Sequence, residues 1–262
     1  MSSRLQRYGA ALSLLATVVL WLTFEYWLWG LIPAVIFVFL LFKQSKDAQR
    51  RYIALSLGLI PLFVAPINSD TSIRHVLFVI PFYAASVYLP RIYLMRKEPE
   101  LLKVNWLPKR FRWSDFFYIC FTIPGSALGL WLYLKYWNPE VVYNWPLDTS
   151  TPFKTLTMLF IGMYLAGLWD EMFGQNTALA IFETMFKRPF SNLFAMVIYA
   201  AALWDLAFRG IGFLVMFPFI LSQGILWQRS RTLFWVVVVH FTLEVLLYSL
   251  IVQSRFPNLG LF

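Results

Sequence analysis

The sequence predicts an all-α protein, a polytopic transmembrane bundle of eight or nine helices. Sixty per cent of its 262 residues are apolar and only 13% are charged, whereas a soluble domain carries about 25% charged residues. Its apolar residues form runs that approach the roughly 20 residues needed to cross a bilayer. These runs are too long and too uniformly apolar for the alternating strands of a membrane barrel.

Nine apolar segments are candidate membrane spans, and together they make one integral-membrane domain that covers residues 1–262. The second and third are short for a span. The first two run together through Trp27 and Gly30, so they form either a tight hairpin or one broken element. This ambiguity is why we expect eight or nine helices. In chain order the segments are residues 8–27, 29–43, 52–67, 75–94, 114–137, 155–184, 192–208, 211–228 and 232–252.

The basic residues predict which side of the membrane each loop faces. The net charge is +9, from 22 Lys and Arg against 13 Asp and Glu. With a cytoplasmic N-terminus, 17 of the 22 basic residues fall in cytoplasmic segments, which is the positive-inside pattern. The loop 138–153 has two acids and no base, as an external loop should. Topology thus explains the positive charge, and no nucleic-acid partner is expected.

The sequence shows no organelle address, so we expect an integral protein of a bacterial plasma (inner) membrane, in contact with membrane lipids. Its oligomeric state is left open. The longest cytoplasmic loop, 95–113, mixes basic residues with Leu, Val and Trp. Two alternatives remain for this loop: a short amphipathic helix on the anionic inner leaflet, or a solvated basic loop.

A few ionisable residues have simple explanations. Glu183 precedes Lys187 by four residues, and we expect the two to pair at the inner interface. Asp115 begins a predicted helix, where the helix dipole favours an acid. His75 begins a span within the polar stretch NSDTSIRH, which suits an interfacial position.

Other polar residues lie well inside the spans, where a charge costs about 2.5–3.5 kcal/mol. Three of the predicted helices each present a carboxylate or an imidazole, and we predict that these groups share one pocket. His240 and Glu244 are four residues apart, as are Glu171 and Gln175, so each pair shares a helix face. The residues are Asp170, Glu171 and Gln175 on the sixth segment, Asp205 on the seventh, and His240 and Glu244 on the ninth.

Four interpretations of this cluster are open. Carboxylates and a histidine on facing helices can hold a divalent metal ion, zinc or another, with Asp170, Glu171, Asp205, His240 and Glu244 as candidate ligands. A buried carboxylate can act as a general base on water. The acids could instead hydrogen-bond between helices as structural groups, or form a proton or ion path. Four acids beside one imidazole cannot all carry charge in a dry site, which implies either a bound cation or protonated acids.

The same segments resemble the CPBP family of intramembrane proteases, which includes CAAX prenyl proteases and bacteriocin-processing enzymes and is also called the Abi family. Its motifs are EExxxR, FxxxH, and HxxxN or HxxxD. Asp170-Glu171-Met-Phe-Gly-Gln175 occupies the first motif, Asp205 the histidine of the second, and His240 and Glu244 the third, within GILWQRSRTLFWVVVVHFTLE. The resemblance covers about residues 160–250, which would be the family-like core.

Four positions depart from the family pattern: Asp170 replaces a Glu, Gln175 the Arg, Asp205 a His, and Glu244 the final Asn or Asp. A second alignment places Trp-Asp205-Leu-Ala-Phe-Arg209-Gly210 on the first motif. It fits the Arg and Gly better, but it leaves too little chain for the later motifs, so we prefer the first alignment.

The resemblance implies a metal-dependent peptidase that acts on a membrane-embedded peptide or protein. Glu171 would activate the attacking water, and His240 with Asp205 and Glu244 would bind metal or position that water. Gln175 would orient the substrate or the oxyanion. The four departures leave two alternatives: a catalytically inactive membrane scaffold or partner-binding protein, and an ion or proton transporter.

Overall fold

A computed structural model describes residues 2–108, 110–139, 145–204, 206 and 210–257. Within these residues every regular element is a helix, which confirms the all-α prediction. The helices join into nine rods over the described part of the chain, in agreement with the expected eight or nine. The predicted site residue Asp205 lies outside the described residues, as does Arg209 of the second alignment.

Three of the nine rods contain a π-helical segment, and the other six are α-helical throughout. In chain order the elements are α1 (Ser2–Val18) with a π turn (Val19–Thr23), α2 (Trp27–Leu41), α3 (Lys46–Val64), α4 (Ile73–Leu94), α5 (Trp113–Leu132) with a π turn (Tyr133–Trp137), α6 (Pro152–Asp170) continued by a π-helical segment (Glu171–Leu179) and α7 (Ala180–Glu183), α8 (Arg188–Leu203), α9 (Gly212–Ser230) and α10 (Leu233–Arg255).

Five of these rods are long and apolar enough to cross a membrane: Arg4–Thr23, Ile73–Leu94, Trp113–Trp137, Pro152–Glu183 and Leu233–Arg255. The helices α2 and α8 are apolar but shorter. Large apolar side chains point outward from several rods, among them Leu28, Phe121 and Phe153. An outward apolar surface is what lipid requires, and the chain is a membrane protein as predicted.

Successive rods run in opposite directions, so their connections gather at two ends of the bundle. We call one the basic end, made by the connections 42–45, 95–112, 184–187 and 231–232. Contacts between distant segments hold it together: Arg7 Nη1 donates to the Met185 carbonyl at 3.1 Å, and the Leu233 amide donates to the Asn105 carbonyl at 2.9 Å. The described residues of these connections include eight Lys and Arg: Lys43, Arg96, Lys97, Lys103, Arg110, Arg112, Lys187 and Arg231.

The opposite end, which we call the cavity end, is made by the described residues of the connections 24–26, 65–72, 138–151 and 204–211. At this end Arg255 Nη2 donates to the Trp145 carbonyl at 3.4 Å. The Asp148 carboxylate accepts hydrogen bonds from the Ser150 hydroxyl at 2.6 Å and from the Ser150 amide at 2.8 Å. These bonds and one from Thr151 stabilise the charged form and lower the pKa of Asp148 below its ordinary value.

The loop 95–112 forms turns and irregular chain over its described residues, so the amphipathic-helix alternative is wrong for them. Fixed contacts attach the loop to two helices. Glu98 accepts from Arg50 and Arg51 at 3.3 and 2.9 Å. The Thr232 hydroxyl donates to the Trp106 carbonyl at 3.1 Å. Side chains of α3 and of Thr232, the residue before α10, therefore hold this loop without a helix.

The predicted pairing of Glu183 with Lys187 is replaced by another. Glu183 bonds to Arg231 and lies 3.8 Å from Arg188 Nε. The reason is that α7 ends at Glu183, and Lys187 is the extended residue before α8. Lys187 is therefore not one helical turn beyond Glu183, as the prediction assumed.

Candidate functional site

The sixth rod changes from α- to π-helical geometry at the first predicted motif. The α-helix α6 ends at Asp170, and Glu171–Leu179 follow as a π-helical segment in which all but one residue is buried. Such wide turns are rare and occur frequently at functional sites. The α-helical spacing that put Glu171 and Gln175 on one face does not hold here, because π-helical bonds join residues five apart rather than four.

Glu171, His240 and Tyr199 form a buried hydrogen-bonded group that joins three rods. His240 Nδ1 on α10 lies 2.7 Å from Glu171 Oε1 and 3.1 Å from the Tyr199 hydroxyl on α8. Tyr199 also donates to Glu171 Oε1 at 3.4 Å. The side chain of Glu171 has no exposure to solvent, and those of Tyr199 and His240 have almost none. When Glu171 is ionised it accepts a hydrogen bond from the Nδ1–H of His240, and the lone pair of the neutral imidazole is then on Nε2.

Glu244 lies on the other side of the imidazole. Its Oε1 is 3.6 Å from His240 Nε2, which is too long for a direct hydrogen bond. A single water can contact both atoms across this separation. The Glu244 carboxylate also packs directly against Gly167 of α6, where there is no room for a side chain.

A cavity of about 540 Å³ extends from the cavity end to this group. Residues of α4, α5, α6, α9 and α10 form its walls, and Trp137 and Trp145 lie near its mouth. Asp170, His240 and Glu244 line it at depth, but Glu171 does not. A molecule in the cavity would therefore contact the imidazole of His240 and not the carboxylate of Glu171.

The structure brings most of the predicted site residues into one region of the bundle. Glu171 and His240 are in direct contact, Glu244 is beside them, and Asp170 lines the same cavity. Gln175 is buried in the π-helical segment, does not line the cavity, and its Oε1 has no hydrogen-bond partner in the described part of the chain. The structure therefore gives Gln175 no contact with a molecule in the cavity.

Tyr199 is the site residue that the sequence reasoning did not select. It lies in the apolar run AMVIYAAAL of α8, which contains no charge to draw attention to it. One signal was available: a tyrosine hydroxyl in a buried helix needs a polar partner. That requirement points to neighbouring helices with polar groups, which here are α10 and the π-helical segment.

Over the described residues, no three His, Cys, Asp or Glu side chains are placed to hold a metal ion together. His240 Nδ1 is engaged by Glu171, so His240 Nε2 and Glu244 Oε1 provide two ligands. Zinc sites use three or four protein ligands, and the described residues alone therefore do not fit a metal. Because Asp205 lies outside them, the predicted five-residue ligand set stays a prediction.

Comparison of the chain with family models, with curated proteins and with solved structures gives no match. The likeness to the CPBP family therefore rests on the three short motifs and their spacing. Function has to be argued from the geometry of the Glu171–His240 pair and the cavity beside it.

Proposed function

We propose that the chain is a divergent CPBP-type intramembrane hydrolase, a peptidase that acts on a membrane-embedded peptide or protein. The observation that carries the proposal is the 2.7 Å contact between Glu171 Oε1 and His240 Nδ1, in the wall of a cavity inside the membrane-spanning bundle. A carboxylate that orients an imidazole beside a substrate-sized space is an arrangement used for general base catalysis.

In this proposal His240 is the base and Glu171 is a positioning residue. Glu171 accepts a hydrogen bond from Nδ1–H, which leaves the Nε2 lone pair free to take a proton from a water shared with Glu244. The oxygen of that water bonds to the scissile carbonyl carbon, and His240 then gives the proton to the leaving amine as the C–N bond breaks. The positive charge that forms on the imidazole is stabilised by the buried Glu171 carboxylate. The motif alone assigned the base to Glu171. We reassign that role because His240, not Glu171, lines the cavity.

Tyr199 supports the same pair. Its hydroxyl donates to Glu171 Oε1 and lies within hydrogen-bond distance of His240 Nδ1. This contact restricts the carboxylate to one orientation. The metal dependence expected of the family enters no step here, because the described residues supply too few ligands.

The proposal is tested by comparing the new protein N-termini in membranes of cells that produce the wild type, His240→Ala or Glu171→Gln. We expect wild-type membranes to contain termini that both variants lack or reduce by about 10²–10⁴-fold, the usual contribution of a general base. His75→Ala is the matched control, because His75 is the other of the two histidines and lines the mouth of the cavity, away from the Glu171–His240 pair. Identical termini from the wild type and His240→Ala, with both proteins folded in detergent, contradict the proposal.

A proton or ion path is a second candidate, favoured by the position of Asp170 and Glu244 on a cavity within the spans. A non-catalytic scaffold is a third, favoured by the Glu171–His240–Tyr199 bonds that join three rods. Gradient-dependent flux in liposomes would support the path. Loss of stability in His240→Ala without any change in N-termini would support the scaffold.

We also propose that the basic end faces the cytoplasm of a bacterial plasma (inner) membrane, so the N-terminus is cytoplasmic and the cavity is reached from the outside. The bias of Lys and Arg towards the basic end supports this orientation. In a Cys120→Ser background, which removes the single exposed cysteine, Ser150→Cys should react with a membrane-impermeant maleimide on intact cells, and Lys103→Cys should not. The reverse labelling contradicts it.

A further inference from the structure

The cavity has apolar walls and carries acidic groups at both its mouth and its depth. Asp70 lies at the mouth, and Asp170 and Glu244 lie at depth. None of the described residues that line the cavity is Lys or Arg. The charge of the cavity is therefore opposite in sign to the net charge of the chain, which is +9.

The deep acids have oxygens with no partner. Asp170 is 2% exposed and Glu244 is 8% exposed, and within the described residues Asp170 Oδ1 and Glu244 Oε2 accept no hydrogen bond. His240 Nε2 lies 3.6 Å from Glu244 Oε1, and its Nδ1 is already engaged by Glu171. Burying a carboxylate oxygen without a partner is costly. These two oxygens are closed to solvent, but both residues line the cavity, so a positive group there would offset that cost through its charge.

The size and the walls of the cavity indicate what else such a ligand carries. A volume of about 540 Å³ falls within the range of about 300–1,000 Å³ that is typical of sites for drug-sized molecules. Its walls include the aromatic rings of Tyr83, Phe121 and Phe219, which suit both an apolar body and a cation placed over a ring face. A small hydrated cation would leave most of this space unfilled.

We propose that this cavity binds a lipophilic cation. Its amine or onium group lies against Asp170 and Glu244, and its apolar body extends towards the cavity end along α4, α5 and α9. Entry is from the cavity end, where Asp70 attracts positive charge. Binding of this kind does not depend on hydrolysis, so the test measures binding alone.

The test is equilibrium binding of tritiated tetraphenylphosphonium to the purified full-length protein in a non-ionic detergent. Dodecyltrimethylammonium should displace the probe, and dodecanoate, which has the same chain length and the opposite charge, should not. Asp170→Asn and Glu244→Gln should each weaken binding by about tenfold or more, because contacts to a charged group are among the stronger ones. Glu100→Gln is the matched control: Glu100 is an exposed acid at the basic end that pairs with Lys103, and its loss should change nothing.

A further variant keeps the test informative if the acid variants misfold. Gly125 lines the cavity, and a Cβ added there meets no atom within 4 Å. Gly125→Leu should therefore occupy the cavity and weaken probe binding with both acids in place. Glu171→Gln disables the proposed hydrolase, and Glu171 does not line the cavity, so this variant should retain probe binding, which separates this inference from the hydrolase proposal. Wild-type affinity in folded Asp170→Asn, Glu244→Gln and Gly125→Leu, or equal displacement by dodecanoate, overturns the inference.

Discussion

Gly167 is the position where one added methyl group should move a site residue. It lies in α6 opposite Glu244, and a Cβ built on it would have Glu244 Cδ at 2.7 Å and Oε2 at 2.8 Å. These distances are far inside normal contact, so Gly167→Ala must displace the Glu244 carboxylate. Gly162 on the same helix is the matched control, because a Cβ there meets Val76 Cγ2 at an ordinary 3.8 Å.

The expected magnitude is the difference between two opposing effects. Replacing glycine by alanine inside a helix stabilises by about 1 kcal/mol, and overpacking a filled site costs about 1–3 kcal/mol. Gly162→Ala should therefore be neutral or stabilise by up to about 1 kcal/mol. Gly167→Ala should range from neutral to about 2 kcal/mol destabilising, and it should also disturb the 3.6 Å approach of Glu244 to His240.

The assay is equilibrium unfolding by dodecyl sulfate in mixed micelles, measured in the wild type and in Glu244→Ala. Removing the Glu244 carboxylate removes the overlap, so Gly167→Ala should become as favourable as Gly162→Ala in that background. The double-mutant cycle should give a coupling of about 1–3 kcal/mol. If Gly167→Ala matches Gly162→Ala in both backgrounds, Glu244 does not pack on Gly167 and the site geometry is wrong.

Three further substitutions test separate parts of the structure. Gly58→Ala should be less favourable than Gly162→Ala by about 1–3 kcal/mol in the same unfolding assay, because its Cβ would lie 2.8 Å from the Ser86 backbone carbonyl, which cannot rotate away; equal effects of the two substitutions contradict the packing of α3 on α4. Thr232→Val should cost about 1–2 kcal/mol of stability, because it removes the cap of α10 and a contact to the loop 95–112. Thr242→Val on the same helix should cost less, because its hydroxyl bonds only within that helix. Equal costs would refute the role of Thr232 as cap and loop contact. Tyr199→Phe should lower turnover, measured as the yield of new N-termini, by less than Glu171→Gln, and unchanged turnover would exclude a positioning role for the hydroxyl.

The sequence predicted the long rods closely, because in those segments the apolar run and the helix are nearly the same stretch of chain. The segment 75–94 corresponds to Ile73–Leu94, and 114–137 to Trp113–Trp137. The segment 155–184 corresponds to Pro152–Glu183, where Pro152 is at the first turn and starts the helix slightly earlier than its apolar run.

Agreement is poorer where a helix begins in polar residues. The segment 52–67 was predicted from apolar residues, but α3 starts at Lys46, because Ser45 caps it by accepting a hydrogen bond from the Ala48 amide. Hydropathy marks the part of a helix that suits lipid, whereas capping determines where the helix begins. The residues 46–51 belong to the helix and lie beyond its apolar part.

The site could be predicted only in part. The spacing of His240 and Glu244 follows from α-helical periodicity and holds in α10. The contact between Glu171 and His240 joins residues 69 apart in sequence, and no local pattern fixes such a contact. No sequence signal marks the π-helical segment either. Its wider turns are the reason that Gln175 and Glu171 do not lie on one helix face, as α-helical spacing predicted.

A structural role and a binding role predict different hydrogen bonding for the buried carboxylate oxygens. Polar groups that only hold membrane helices together are expected to be paired, because each unpaired buried group costs about 1–3 kcal/mol. Glu171 Oε1 meets this expectation through His240 and Tyr199. Asp170 Oδ1 and Glu244 Oε2 do not meet it within the described residues, and both residues line the cavity. Glu171 Oε2 also has no partner in the described part of the chain, but Glu171 does not line the cavity. A scaffold therefore leaves Asp170 and Glu244 unexplained, whereas a site that admits a ligand through the cavity accounts for these two residues, which line it.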